Sequence, residues 1–189
     1  MEAHYFIGIS LPREVAAHLS RWQSAMKQHA NYKNWTDSDD LHITLKFLGA
    51  ATEKKIKKLC NELVECGYTS TFSLNVEGFG FFGKPTSPRV IWAGVEKTNS
   101  LLLLQEKIDQ VCSELGFEKE TRVYKPHITL AKKWVGSSSI GPELDSMLQH
   151  QEVLGTVKVN KFTLFKIHPN QTPKYEVVQQ IPLSPQNHL

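Results

Sequence analysis

The tetrapeptide His-Ile-Thr-Leu occurs twice in this chain, at residues 42–45 and again at residues 127–130. The chain has only 8 histidines in 189 residues, so an identical string that opens on histidine is unexpected by chance. An imidazole exchanges a proton near neutral pH, and a threonine hydroxyl can donate a hydrogen bond to an anionic oxygen. A histidine two residues before a threonine is therefore a candidate for acid–base chemistry at a phosphate ester.

The first copy alternates polar and apolar residues over 41–48, which is typical of a β-strand with one buried face. Because strand side chains alternate between two faces, His42, Thr44 and Lys46 are expected to share one face. The residues between them, continuing to Phe47, are apolar and are expected to point into a core. Lys46 is thus a candidate phosphate-binding residue beside the two candidate catalytic residues, His42 and Thr44.

The second copy lies in a predicted strand over 124–133 and places His127 and Thr129 on one face. Two further candidates for phosphate binding, Lys132 and Lys133, follow this copy. Strict alternation puts Lys133 on the histidine face, whereas Lys132 reaches that face if the strand ends or twists just before it. Both lysines are retained as alternatives.

The remaining sequence predicts strands and helices that hold the two motif strands in place. Thr52 is a predicted N-cap, and the polar segment 31–40 is predicted to be a loop. The predicted helices cover 12–28, 53–66, 100–115 and 142–151, and the predicted strands cover 4–11, 41–48, 71–82, 89–96, 124–133, 156–167 and 175–183.

Each motif has the same neighbours along the chain, which indicates an internal repeat. The two motifs lie 85 residues apart, and VEGFGFF (76–82) aligns with VNKFTLF (159–165) at nearly the same offset. The repeat predicts an α/β (α+β) fold, with a single domain over 1–189 and two lobes related by an approximate two-fold axis. Each lobe would hold an antiparallel-rich sheet with helices, and a central cleft would bring the two motif strands face to face.

Composition limits the class of protein. Hydrophobic residues make up 40% and charged residues 22% of the chain, as in a soluble globular protein. The net charge of +3 permits a phosphate-bearing partner but is too weak to indicate a dedicated DNA-binding protein. The three cysteines include no Cys-x-x-Cys pair, so we expect reduced thiols and no structural zinc. Because the sequence shows no signal-peptide pattern and no apolar run near ~20 residues, we expect a cytoplasmic protein without a membrane span.

Several segments around the motifs resemble one known family. They are Trp35, KFLG after the first motif, SPRVIWAGV at 87–95, and YKPHITLAK around the second motif. With the paired His-x-Thr-x strings, the chain resembles the two-histidine phosphoesterase superfamily, and most closely the RNA 2′,3′-cyclic phosphodiesterases, historically called 2′-5′ RNA ligases. The resemblance implies a bilobal fold that hydrolyses RNA ending in a 2′,3′-cyclic phosphate to a 2′-phosphate, with 2′-5′ ligation as a weak reverse activity.

The resemblance also implies roles for the motif residues. By motif position, His42 is the proton donor and His127 the proton acceptor, while Thr44 and Thr129 hold the phosphate. The family often has an arginine a few residues after the second motif, where this chain has two lysines. A lysine keeps the positive charge but loses the bidentate fork of arginine.

The chemistry itself requires two proton-transfer groups. Hydrolysis of a cyclic phosphodiester takes a proton from the attacking water and gives one to the leaving ribose oxygen, on opposite sides of phosphorus. Two histidines that face each other across a cleft meet this need, and each contributes roughly 10²–10⁴ in rate. The motif strands carry no carboxylate cluster, so we expect a metal-independent reaction with no cofactor.

The expected partner is an RNA end with a 2′,3′-cyclic phosphate, tRNA fragments included, and we expect the protein to act as a monomer. Two alternatives stay open. The cleft could bind a nucleotide or an RNA end without turnover, or the enzyme could act on a small cyclic nucleotide or a 2′-5′ oligonucleotide.

Overall fold

A computed structural model describes residues 2–136 and 139–185 of the chain. Within these ranges it contains four helices, α1 (Arg13–Met26), α2 (Glu53–Leu63), α3 (Asn99–Glu114) and α4 (Pro142–Leu148). The same ranges contain nine strands, β1 (Ala3–Ser10), β2 (Tyr32–Trp35), β3 (His42–Ala51), β4 (Phe72–Lys84), β5 (Ser87–Val95), β6 (His127–Trp134), β7 (Val153–Val159), β8 (Lys161–Ile167) and β9 (Tyr175–Pro182).

The strands form two antiparallel sheets, which confirms the predicted α+β class. Sheet A has the strand order β3-β1-β8-β9, and sheet B has the order β2-β6-β5-β4-β7. The segment 31–40, predicted to be a loop, instead contains β2, which pairs with β6 at the edge of sheet B. Sheet A carries the first motif at the start of β3, and sheet B carries the second at the start of β6.

The strand register shows the internal repeat in three dimensions. In sheet A, β3 lies beside β1 and β1 beside β8, while in sheet B, β6 lies beside β5 and β5 beside β4. Phe165 of β8 pairs with Phe6, and Phe82 of β4 pairs with Val90. Phe6 lies two residues before the residue that pairs with Thr44, and Val90 lies two residues before the residue that pairs with Thr129. Phe82 and Phe165 are therefore equivalent, as the sequence alignment predicts.

The two lobes do not correspond to the two halves of the chain. Sheet A combines β1 and β3 with β8 and β9, while β4, which follows the first motif, belongs to sheet B. The predicted strand 156–167 is in fact two strands, β7 and β8, which are separated by Asn160 and lie in different sheets. Each lobe thus contains strands from both repeats.

The helices cover the faces of the sheets opposite the motif histidines. α1 packs on sheet B, where the His18 ring lies 2.8 Å from the Leu154 carbonyl oxygen, and α3 packs on β3 of sheet A. Ile43 and Ile128 are fully buried beneath these helices, as alternation predicts. α2 begins at the predicted cap, since the Thr52 hydroxyl accepts a hydrogen bond from the Lys55 amide at 3.2 Å.

Both motif strands contain a β-bulge at the same place. In β3 the two neighbours of Leu45 pair with consecutive residues of β1, and in β6 the two neighbours of Leu130 pair with consecutive residues of β5. Each strand therefore has one extra residue directly after its threonine. A bulge of this kind reverses the alternation of faces for the residues that follow it.

Candidate active site

The two motif histidines lie in one cleft between the sheets. They are the first residues of β3 and β6, and these two strands contact each other although they belong to different sheets. The charge of His127 contributes to lowering the pKa of His42, so the two rings are within electrostatic reach of each other. The structure thus brings together the two residues that the repeat singles out.

Both histidines are held in the same orientation by the backbone. The Nδ1 atom of His42 lies 2.7 Å from the carbonyl oxygen of Asp40, and the Nδ1 atom of His127 lies 2.7 Å from the carbonyl oxygen of Lys125. Because a carbonyl only accepts, the proton sits on Nδ1 and leaves Nε2 unprotonated, as a hydrogen-bond acceptor. The Thr44 hydroxyl, 3.0 Å from Nε2 of His42, then donates to it.

Aromatic rings surround each imidazole. The ring centroids of Phe6 and Tyr175 lie 4.5 and 5.1 Å from that of His42. The centroids of Phe82 and Trp92 lie 5.1 and 6.0 Å from that of His127. These rings shield the imidazoles from water, and they come from four strands, β1, β4, β5 and β9, that the sequence does not link in advance.

The environment lowers the pKa of both histidines. Burial is the main cause for His42, whose pKa falls to about 4; the Asp40 carbonyl opposes this shift, and the charges of Lys132 and His127 add to it. Burial also lowers the pKa of His127, against the opposing effect of the Lys125 carbonyl. Both imidazoles are therefore neutral at pH 7 in the free protein, and a bound anion would raise both pKa values.

The prediction that Lys46 shares the histidine face is wrong. The bulge at Leu45 turns Lys46 to the helix-covered face, where it is 5% exposed. Its Nζ atom lies 2.6 Å from Oδ1 of Asp109 on α3 and also donates to the Glu118 carbonyl. Lys46 is a buried ion-pair partner and cannot reach a phosphate in the cleft.

The equivalent bulge decides between the two lysines after the second motif. It turns Ala131 into the core and brings Lys132 to the cleft face, where its charge lowers the pKa of His42. Lys133 follows with a left-handed backbone φ of +66°. Lys132 is therefore the lysine after the second motif that lies on the cleft face.

The two-lobed fold with a His-x-Thr strand in each sheet matches a known family. The model of the LigT like phosphoesterases matches residues 9–92 and 94–175, which is most of the chain. The chain belongs to the LigT-like phosphoesterase family.

Relatives of this LigT-like phosphoesterase carry a common name. The RNA 2′,3′-cyclic phosphodiesterase of Bacillus subtilis is 37% identical over 183 residues, which cover 96% of this chain and 97% of the relative. The protein of the same name from Geobacillus stearothermophilus is 34% identical over 183 residues, 96% of this chain and 57% of the relative. The chain thus spans little more than half the length of the Geobacillus relative.

Solved structures share the fold of this LigT-like phosphoesterase. E. coli LigT complexed with 3′-AMP superposes with a TM-score of 0.77 at 22% identity, over 97% of this chain and 99% of that one. TT0787 of Thermus thermophilus gives a TM-score of 0.77 at 23% identity, over 97% and 100% of the two chains. These likenesses confirm the two-lobed architecture.

The cleft of the LigT-like phosphoesterase also contains Phe47, which alternation places in the core. The bulge turns Phe47 outward, and its side chain is 59% exposed. Its partner on β1 is Phe6, which packs on His42, so both rings lie on the cleft side of sheet A. Phe47 occupies the position in its lobe that Lys132 occupies in the other.

Asp40 is a site residue that sequence reasoning missed. It is 3% exposed, and besides holding His42 through its carbonyl it binds the segment before β9 through its carboxylate. That carboxylate accepts hydrogen bonds from the amides of Lys174 at 2.9 Å and Tyr175 at 3.2 Å. One residue therefore fixes both the His42 ring and the strand that packs against it.

Two features are absent from the described residues. In residues 2–136 and 139–185, no group of three or more His, Cys, Asp and Glu side chains is arranged to hold a metal ion. Over the same part of the chain, no helix is both long enough and apolar enough to cross a membrane.

Proposed function

We propose that this LigT-like phosphoesterase opens the 2′,3′-cyclic phosphodiester at an RNA end to a 2′-phosphomonoester, with His42 and His127 as general acid and base. The observation that carries the proposal is the pair of imidazoles, one from each sheet, whose Nδ1 atoms are both held by backbone carbonyls so that Nε2 is the basic nitrogen of each ring. The names of the Bacillus and Geobacillus relatives support the choice of substrate.

The proposed reaction is an in-line displacement at phosphorus. His127 takes a proton from water through Nε2 as the water oxygen bonds to phosphorus. His42, in its protonated form, gives a proton to the ribose 3′-oxygen as the P–O3′ bond breaks, which leaves the phosphate on the 2′-oxygen. Thr44, Thr129 and Lys132 stabilise the charge on the non-bridging oxygens. The negative charge of the bound substrate raises the low pKa of His42 and so favours the protonated form that this step requires.

Phe47 supports a nucleotide substrate over a bare cyclic phosphate. An exposed ring on the wall of the cleft can stack on a nucleobase, a contact that contributes about 1–3 kcal/mol per base. Every base has a π-face, so this contact favours nucleotides without selecting among them. Phe47 is therefore the proposed base-contacting residue.

A turnover assay tests the function directly. An oligoribonucleotide with a 2′,3′-cyclic phosphate end is incubated with the protein in EDTA, and the product is identified by ³¹P NMR. The expected product is the 2′-phosphomonoester, formed at the same rate with and without the chelator. Tight binding of the oligonucleotide without product would instead establish a binding module, and a rate restored only by a divalent ion would refute the metal-independent mechanism.

The lowered histidine pKa values predict a particular pH dependence. A bell-shaped kcat/KM profile reports the groups of the free enzyme, so its maximum should lie below the ordinary histidine pKa of 6.5, with the acid limb near 4. The kcat profile should lie at higher pH, since the bound anion favours the imidazolium form. Steady-state rates across the pH range check both. A kcat/KM that continues to rise well above pH 6.5 would contradict the assignment.

A further inference from the structure

A cavity of about 200 Å³ lies beside His42, and of its lining lysines only Lys132 has a role in the proposed reaction. The end of α1, the strand β2, the cleft side of β6 and the segment before β9 surround it. Its walls include Trp35 and three lysines, Lys27, Lys132 and Lys174. Lys132 and Tyr175 line the cavity and also face the histidine, so the cavity opens next to the catalytic cleft.

The three lysines converge without carboxylate partners. Burial lowers the pKa of Lys132, and the positive charge of Lys174, which lines the same cavity, adds to the effect. The Nζ atom of Lys27 lies 5.3 Å from the centre of the Trp35 ring. In the part of the chain that the structure describes, none of the three cavity lysines makes a salt bridge. A bound anion would relieve their mutual repulsion.

Two aspartates also line the cavity, but backbone groups already occupy their carboxylates. Oδ1 of Asp37 accepts the amide of Asp39 at 3.0 Å and caps the short helical turn 38–40. The carboxylate of Asp40 is buried and accepts the amides of Lys174 and Tyr175. These carboxylates hold the chain around the cavity, and the ammonium groups of Lys27 and Lys174 are left for a second ligand group.

We infer that this cavity is a second phosphate subsite, which binds the phosphate on the 5′-oxygen of the nucleotide whose cyclic phosphate lies between His42 and His127. The inference rests on the proposed function and extends it to the substrate class. The volume is below the 300–1,000 Å³ typical of a site for a whole small ligand, so it suits one phosphate with part of a ribose. The phosphate can be the internal diester of an RNA or the 5′-phosphate of a mononucleotide.

Three substrates distinguish an internal diester from a 5′-phosphate as the group that the subsite binds. They are adenosine 2′,3′-cyclic phosphate, the same nucleotide with a 5′-phosphate, and the dinucleotide ApA with a 2′,3′-cyclic phosphate end. For the wild type, kcat/KM should be higher for both substrates with a second phosphate. Lys27→Ala and Lys174→Ala should each lower kcat/KM roughly tenfold for the two substrates with a second phosphate, which corresponds to the loss of one charge-assisted hydrogen bond. Either variant should lower kcat/KM far less for adenosine 2′,3′-cyclic phosphate.

Lys33→Ala is the matched control. Lys33 is exposed on the same strand as Trp35 but lies outside the cavity, and its replacement makes the same change in net charge. It should leave all three substrates unaffected. For the dinucleotide, each cavity variant should also reduce the slope of log affinity against log salt by about 0.7.

The outcomes are distinct. A loss for the dinucleotide alone assigns the subsite to the internal diester, and a loss for both second-phosphate substrates assigns it to any 5′-phosphate. An equal loss for all three, or none, overturns the subsite. If the wild type turns over none of them, the proposed function fails; calorimetry then compares adenosine 3′,5′-bisphosphate with adenosine 3′-monophosphate. The subsite predicts tighter binding of the bisphosphate and loss of that preference in Lys174→Ala, and equal binding overturns it.

Discussion

Replacing His127 with alanine is expected to lower kcat for hydrolysis of a 2′,3′-cyclic phosphate by roughly 10²–10⁴-fold, and replacing His42 should have an effect of the same size. Each imidazole is the proposed donor or acceptor of one of the two protons that the reaction moves. The double variant should be only slightly slower than the worse single variant, because residues that act as a unit are not additive. Single-turnover rates on a cyclic phosphate oligonucleotide measure all three.

His29→Ala provides the control for these variants. His29 is exposed, lies outside the cleft and should retain wild-type kcat when replaced. In addition, each single active-site variant should lose one limb of the bell-shaped pH profile, a change that general damage to the fold would not produce. Wild-type kcat in either His42→Ala or His127→Ala would exclude the two-histidine mechanism.

Replacing Lys46 with methionine should reduce the free energy of unfolding by about 3–5 kcal/mol, because it leaves Asp109 as an unpaired charge inside the protein. The two side chains are 4% and 10% exposed, and their ion pair is the main polar contact between the bulged part of β3 and α3. Urea denaturation followed by circular dichroism measures the loss. At temperatures where the variant stays folded, KM for the cyclic phosphate should be unchanged.

Two further variants test whether the unpaired charge of Asp109 causes the loss of stability in Lys46→Met. Lys46→Met combined with Asp109→Leu should recover most of the lost stability, since a buried ion pair can be replaced by apolar residues at little cost. Lys132→Met, which removes an exposed lysine from the other motif strand, should leave stability near wild type but lower turnover. A raised KM with normal stability in Lys46→Met would restore the phosphate-binding role that strict alternation assigns to it.

The sequence correctly predicts the faces of each motif strand up to its threonine. Ile43 and Ile128 are buried, and the histidines share the cleft, because a regular strand alternates its faces. Beyond the threonine the prediction fails at Lys46 and Phe47, which exchange faces. The bulge that exchanges them depends on how β3 pairs with β1, and the composition of β3 alone carries no mark of it.

Two other features depend on contacts that are distant along the chain. The polar segment that forms β2 resembles a loop because an edge strand pairs on one side only and tolerates polar residues. Asp40 matters because its carboxylate meets amides 134 and 135 residues later. A single sequence gives no local signal for such a partner.

The exchange of strands between the sheets has a mechanical consequence for catalysis. The chain crosses from one sheet to the other four times, after β1, β2, β3 and β7, and the last crossing consists of Asn160 alone. Lobes joined by one flexible linker can close on a ligand about a hinge, whereas lobes joined at four places, two of them by the short segments 36–41 and Asn160, resist such rotation. The exchange of strands therefore favours a cleft that is already formed in the free protein, with substrates accommodated by side chains at its rim.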